Sequence, residues 1–149
     1  MYKKILVPVD GSPASARGLV EAVKLAKGLN AAIRLVHVVN EFVMDNALAP
    51  ALYNEGLIES WREVGRKTLQ DAEASVVAQG LKPETQLLET IGGRAADSIV
   101  EEAKRQGADL IVMGTHGRRG VHRLVMGSDA ELVLRSSPVP VLLVRAGEE

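Results

Sequence analysis

Four stretches of this chain, KKILVPV, AIRLVHVV, DLIVMG and VPVLLV, are apolar almost without interruption. A strand with one face in water alternates polar and apolar residues, so continuous runs of this kind describe strands covered on both faces. Such cover requires helices above and below the sheet, and the segments between the runs can supply them. Ser12 and Pro13 read as an N-cap and first helical position. Behind them Ala16, Leu19, Val20, Val23 and Ala26 recur at helical spacing, with Arg17, Glu21, Lys24 and Lys27 facing outward and Gly28 and Asn30 as the stop. A second helix is predicted from about Leu57 to Gln79, with Ile58, Trp61, Leu69, Ala72 and Val76 inward and Gly80 ending it. Its charged stretch REVGRK reads as a solvated face. RAADSIVEEAKRQG predicts a third helix with Ala96, Ile99, Val100 and Ala103 inward, and a fourth runs from Ser128 to about Arg135. ETQLLET is a weaker strand between the second and third helices. The alternation predicts an α/β fold with an open, mostly parallel sheet of five strands and right-handed crossovers.

A length of 149 residues fits one domain, 1–149. Tyr2, Phe42, Tyr53 and Trp61 are the whole aromatic content, too little for a stacking platform, and the net charge of −1 argues against nucleic acid or an anionic membrane as partner. The absence of cysteine removes disulfides and thiolate metal sites. No run suits a signal peptide or a membrane span, so a cytoplasmic location is expected. The connection from Asn40 to Gly56 is rich in apolar residues, as a lid or a contact surface would be.

In open α/β sheets, ligands sit beyond the carboxyl ends of strands where the strand order reverses. The ends of the first and fourth strands offer Asp10 and Gly114. After the fourth strand comes MGTHGRRGVHRLVMGSDAE, with Gly114, Gly117, Gly120 and Gly127 in one short span. Glycines let backbone N–H groups approach phosphate oxygens, and the following helix N-terminus at Ser128 adds free N–H groups and partial positive charge. These features describe a phosphate cradle, yet neither G-x-x-x-x-G-K-[ST] nor G-x-G-x-x-G occurs. Each residue also has a plainer role. Ser128 and Glu131 form a capping-box pattern, Asp10 suits a turn before Ser12, and His37 suits a packed strand end. Arg118, Arg119 and Arg123 suit either a solvated basic face or anion contact. His116 and His122 are loop residues, and three scattered histidines make a poor zinc set.

The spacing Gly114-x2-Gly117-x9-Gly127-Ser128, together with KKILVPVDGS, LVHVV and SSPVPVLLVR in order along the chain, resembles the universal stress protein family in its ATP-binding branch. The resemblance implies a Rossmann-like sheet of order 3-2-1-4-5 with helices on both faces. It implies ATP with Mg²⁺ or Mn²⁺ as ligand: Pro8 and Asp10 at the adenosine end, Asp10 near the ribose or a metal-bound phosphate, and Val38 reading adenine through its backbone. Gly114, Thr115, His116, Gly117, Arg118, Arg119 and Gly120 would wrap the phosphates, with Gly127, Ser128 and Asp129 closing the other side. It also implies a homodimer through the last strand, alongside protein partners of unknown identity. Three functions fit. The first is a nucleotide-dependent regulatory or stress-response protein. The second is a slow ATP or adenine-nucleotide hydrolase, for which no clear general base is visible. The third is a partner-binding scaffold that works without nucleotide.

Overall fold

The computed structural model describes residues 1–40, 55–90, 92–116 and 126–147. Along the chain run β1 (Lys4–Pro8), α1 (Pro13–Leu29), β2 (Ala32–Asn40), α2 (Glu55–Ala78), β3 (Glu84–Thr90), α3 (Ala95–Gln106), β4 (Leu110–Gly114), α4 (Ser128–Ser136) and β5 (Val141–Val144). The strands form one sheet in the order β3-β2-β1-β4-β5, and every neighbouring pair is parallel.

The apolar runs are continuous because the sheet has a core on each side. Ile5, Val7, Val9, Ile33, Leu35, Leu110 and Val112 point to one face, where they meet Leu19, Ala22, Val23 and Ala26 of α1 and Leu69, Ala72 and Val76 of α2. Leu6, Val36, Ile111 and Met113 point to the other, against Ala96, Ile99, Val100 and Ala103 of α3 and Ala130 and Val133 of α4. Alternate residues along a strand point to opposite faces, so most positions in a central strand are apolar, with Arg34 of β2 an exception. The edge strand β3 escapes this demand: only Leu88 is buried, and its sequence stays polar. Among the described residues no helix is long and apolar enough to cross a membrane.

Two local expectations are corrected, and one plainer alternative is removed. The buried stripe of α1 comprises Ala14, Ser15, Gly18, Leu19, Ala22, Val23 and Ala26, while Ala16 is exposed and Val20 is 51% exposed. The helix turns this way because Gly18 lies against β4, where an added Cβ would come 3.3 Å from the Gly114 nitrogen. In α2, Leu69, Ala72 and Val76 are buried as expected, but REVGRK is not wholly a solvated face: Gly65 is buried in its middle, against His37 and Leu87. In α4 the N-cap is Gly127 with no side-chain cap bond, so Ser128 is the first helical residue, and Glu131 pairs with Arg135 at 2.8 Å. The Ser128–Glu131 capping box does not form.

A charged cluster crosses the α3 side of the sheet. Glu102 is fully buried, bonded to Arg34 Nε at 2.9 Å and also to Arg105, and Arg34 reaches Glu84 at 3.0 Å. Burial pushes the Glu102 carboxyl up, but the Arg105 and Arg34 hydrogen bonds outweigh it and hold the group below its ordinary value.

Candidate functional site at the strand reversal

The strand order reverses between β1 and β4, whose connections depart to opposite sides of the sheet and leave a crevice at their carboxyl ends. Pro8, Asp10, Val38, Gly114, Thr115, His116, Gly127, Ser128 and Asp129 all belong to segments that end or begin there. Gly117, Arg118, Arg119 and Gly120 lie outside the described residues, as do His122, Arg123 and most of the connection between β2 and α2.

The turn after β1 is closely tied. Gly11 has φ +81°, a left-handed conformation that favours glycine, and Asp10 Oδ1 accepts from the Ser12 N–H at 2.8 Å. The Asp10 N–H donates to Ser15 Oγ at 3.1 Å, and Ser12 Oγ caps α1 by accepting from the Ser15 N–H at 3.2 Å. Ser12 Oγ also donates to the His116 carbonyl at 3.4 Å, which links this turn to the exit of β4. Asp10 therefore is the turn residue that its plainer reading supposed.

The exit of β4 is held by backbone bonds on both sides. The Thr115 N–H donates to the Val144 carbonyl at 2.9 Å, and the Gly127 N–H donates to the Thr115 carbonyl at 2.7 Å. The second bond fastens the start of α4 to the end of β4, across the segment that carries the middle of the glycine motif. No side chain caps α4, so the first-turn N–H groups of Ser128, Asp129 and Ala130 have no acceptor within the helix and carry its positive end. Gly114 has a packing role that its sequence context hides. A Cβ there would fall 2.6 Å from the Ala14 carbonyl carbon, so the absence of a side chain lets α1 start directly against the strand.

His116 Nδ1 lies 3.0 Å from Thr115 Oγ1, and among the described residues His116 Nε2 is a buried nitrogen with no hydrogen-bond partner. Asp129 is exposed as a residue, yet neighbouring atoms displace water from its carboxyl. That desolvation is the largest cause of its raised pKa; the nearby Asp10 charge adds to it, while the Ala96 N–H and Arg94 oppose it. The Asp10 and Asp129 charges are thus close enough to repel one another. Among the described residues no group of three or more His, Cys, Asp or Glu side chains could hold a metal ion.

At the other end of the crevice, β2 runs past β1. Their pairing stops at Pro8 with Val36, and the Val9 N–H gives the last bond, 2.8 Å to the Val36 carbonyl. Peptide groups that face the same neighbour recur every second residue, so the next toward β1 are those of Val38, beyond the point where β1 has left. His37, between them, sets its Nδ1 2.8 Å from the Val9 carbonyl. Neither this bond nor the buried Gly65 that accompanies it was singled out from the sequence; the signal available was a histidine beside a proposed base-reading residue.

Comparison with known proteins agrees with this architecture. Residues 1–145 match the model of the universal stress protein family. The universal stress protein MJ0531 of Methanocaldococcus jannaschii is 36% identical over 145 residues, covering 97% of this chain and 83% of the relative. The universal stress protein UspA from Lactobacillus plantarum superposes with a TM-score of 0.81 at 28% identity, covering 97% of this chain and 98% of that one. A universal stress protein from Archaeoglobus fulgidus, solved in complex with dAMP, gives 0.68 at 26% identity, covering 96% and 98%.

Proposed function

The chain belongs to the universal stress protein family, and from that premise we propose that it binds ATP, with Mg²⁺ or Mn²⁺, and acts as a nucleotide-dependent regulatory protein of the stress response. It would do so as a single cytoplasmic domain. The observation that carries the reading is the bond from the Gly127 N–H to the Thr115 carbonyl, which fixes the uncapped start of α4 beside the end of β4. An anion is the natural complement of such a helix end.

In this reading the phosphates lie among Gly114, Thr115, His116, Gly127, Ser128 and Asp129, with Gly117, Arg118, Arg119 and Gly120 of the motif completing the cradle. Pro8 and Val38 flank the adenosine. The Val38 N–H and carbonyl form a donor–acceptor pair that matches a ring nitrogen and the amino group of adenine; guanine presents the opposite pair on that edge. The dAMP held by the Archaeoglobus fulgidus neighbour supports an adenine ligand. Asp10 and Asp129 would repel a polyphosphate, which favours its arrival as a metal complex. Their carboxylate oxygens suit Mg²⁺, which binds through one or two carboxylates plus phosphates and keeps several waters. When bound, the metal neutralises phosphate charge, while this chain's contribution is to orient the nucleotide.

No clear general base for an attacking water is legible in the sequence, and His116 Nδ1 is engaged with Thr115, so turnover is expected to be slow. The outer edge of β5 is unpaired within the sheet, and two copies meeting there antiparallel about a twofold axis would satisfy both edges. Calorimetry with ATP and GTP, each with and without Mg²⁺, tests the central claim. Tighter binding of Mg·ATP is expected, and equal or absent binding overturns it.

A further inference from the structure

We infer that His37 is a positioning residue that keeps the peptide edge of Val38 open for the base, by taking the carbonyl that would otherwise close it. The inference rests on the adenine reading proposed above and names the residue that makes it possible.

In a parallel ladder a residue bonded to its neighbour through both peptide groups is followed, two positions on, by another. After Val36, whose carbonyl accepts from the Val9 N–H, the next such residue is Val38, and a continuing ladder would send its N–H to the Val9 carbonyl. That bond is absent: the β1–β2 register ends at Pro8 with Val36, and no hydrogen bond joins Val38 to Val9. The Val9 carbonyl instead has the His37 ring 2.8 Å away. A carbonyl only accepts, so His37 Nδ1–H is the donor. Val9 is 5% exposed, and a carbonyl buried there needs a partner. By serving as that partner, His37 lets β1 leave the sheet without the Val38 N–H being consumed.

The ring is held in place from behind. On α2, Gly65 packs so closely that an added Cβ would lie 2.8 Å from His37 Cδ2 and 2.8 Å from Leu87 Cδ1. The helix thus seats the imidazole against Val9 and leaves it little room to swing away. A purely packed histidine would need neither the bond to Val9 nor its placement one residue before Val38.

Backbone amide exchange followed by NMR tests the claim in the ligand-free protein. The Val38 amide is expected to exchange at least about tenfold faster than that of Val36, as an unbonded group beside a bonded one. In His37→Phe, which keeps an aromatic ring without a donor, Val38 should slow toward Val36 as the ladder closes. ATP affinity should fall roughly tenfold, the worth of one neutral hydrogen bond, with GTP affinity unchanged. His37→Asn places an amide N–H at the position of Nδ1 and should restore both readouts; His37→Gln, whose amide sits one atom further out, should not. A Val38 amide as protected as Val36 in the wild-type protein overturns the inference without any variant, and so does a His37→Phe protein that keeps its full ATP-over-GTP preference. A wild-type protein that binds neither nucleotide would sink the adenine reading instead, and the exchange data would still decide whether His37 holds the ladder open.

Discussion

Replacing Gly114 with alanine separates two reasons for the first glycine of the motif. If it serves only to admit phosphate, the ligand-free protein should be as stable as before. The structure argues otherwise, because the new Cβ would lie 2.6 Å from the Ala14 carbonyl carbon and 2.8 Å from its oxygen. Ordinary carbon contacts lie at about 3.5 Å, so α1 would have to retreat by roughly 0.9 Å. Overpacking of this kind costs about 1–3 kcal/mol, and the retreat pulls on the Ser12 cap, whose loss costs about 1 kcal/mol more. For a chain of this size about 2–4 kcal/mol corresponds to a fall in Tm of roughly 5–15 °C. Gly28→Ala is the control. Gly28 lies in the last turn of α1 with nothing within 4 Å of an added Cβ and no positive φ, so alanine there should stabilise by up to about 1 kcal/mol. Urea and thermal unfolding of both variants without nucleotide would decide. A Gly114→Ala protein within about 0.5 kcal/mol of wild type, the usual scatter of an uneventful substitution, refutes the packing argument.

Glu102→Gln leaves the buried Arg34 without its main counter-charge and should destabilise by about 3 kcal/mol at neutral pH. Because the folded-state pKa of Glu102 is depressed, its stabilisation is fully present above the ordinary value of 4.5 and is lost as pH falls through the lower folded value. The gap between wild-type and variant unfolding curves should therefore narrow below that pH; a gap independent of pH contradicts the assignment. For the homodimer, Leu142→Lys is the cleaner probe, since Leu142 is 39% exposed while Val141 and Leu143 pack into the α3–α4 core. Sedimentation should show a weakened dimer, and a wild-type protein that is monomeric at micromolar concentration removes that proposal. Gly127→Val should abolish ATP binding in calorimetry while lowering stability by only about 1 kcal/mol as a poorer N-cap, and unchanged affinity would mean the phosphates lie elsewhere.

The fold was legible because a sheet covered on both faces leaves its mark at every residue of its central strands. Ile5, Leu6 and Val7 are all buried, though they face two different cores. What hydropathy misjudged were contacts made by small groups. Gly18, Ser15 and Ala14 face the sheet in α1, while the larger Val20 faces water, because the helix lies too close to β4 for a bulky side chain at that crossing. Gly65 escaped notice for the same reason: four charged neighbours marked its stretch as surface, and an absent side chain has no hydropathy to argue back. The buried pair left a faint trace, since Arg34 interrupts an apolar strand and Glu102 sits in the stripe of Ile99 and Ala103. A charge at either place calls for its opposite.

The candidate site was legible in its parts and not in its joints. Spacing pointed to Gly114, Gly127 and Ser128, and the strand reversal to Asp10. What brings them together is a set of bonds between main-chain atoms, from Gly127 to Thr115 and from Thr115 to Val144, which side-chain chemistry does not encode. Ser12, noted only as a cap, also ties the first turn to His116. At the opposite end of the crevice, Val38 was singled out for a backbone role, but what leaves its backbone unspent is the neighbouring imidazole and the glycine behind it. A peptide group can read a ligand only where secondary structure has stopped using it. The residues that stop the ladder therefore belong to the site as much as those that would touch the ligand.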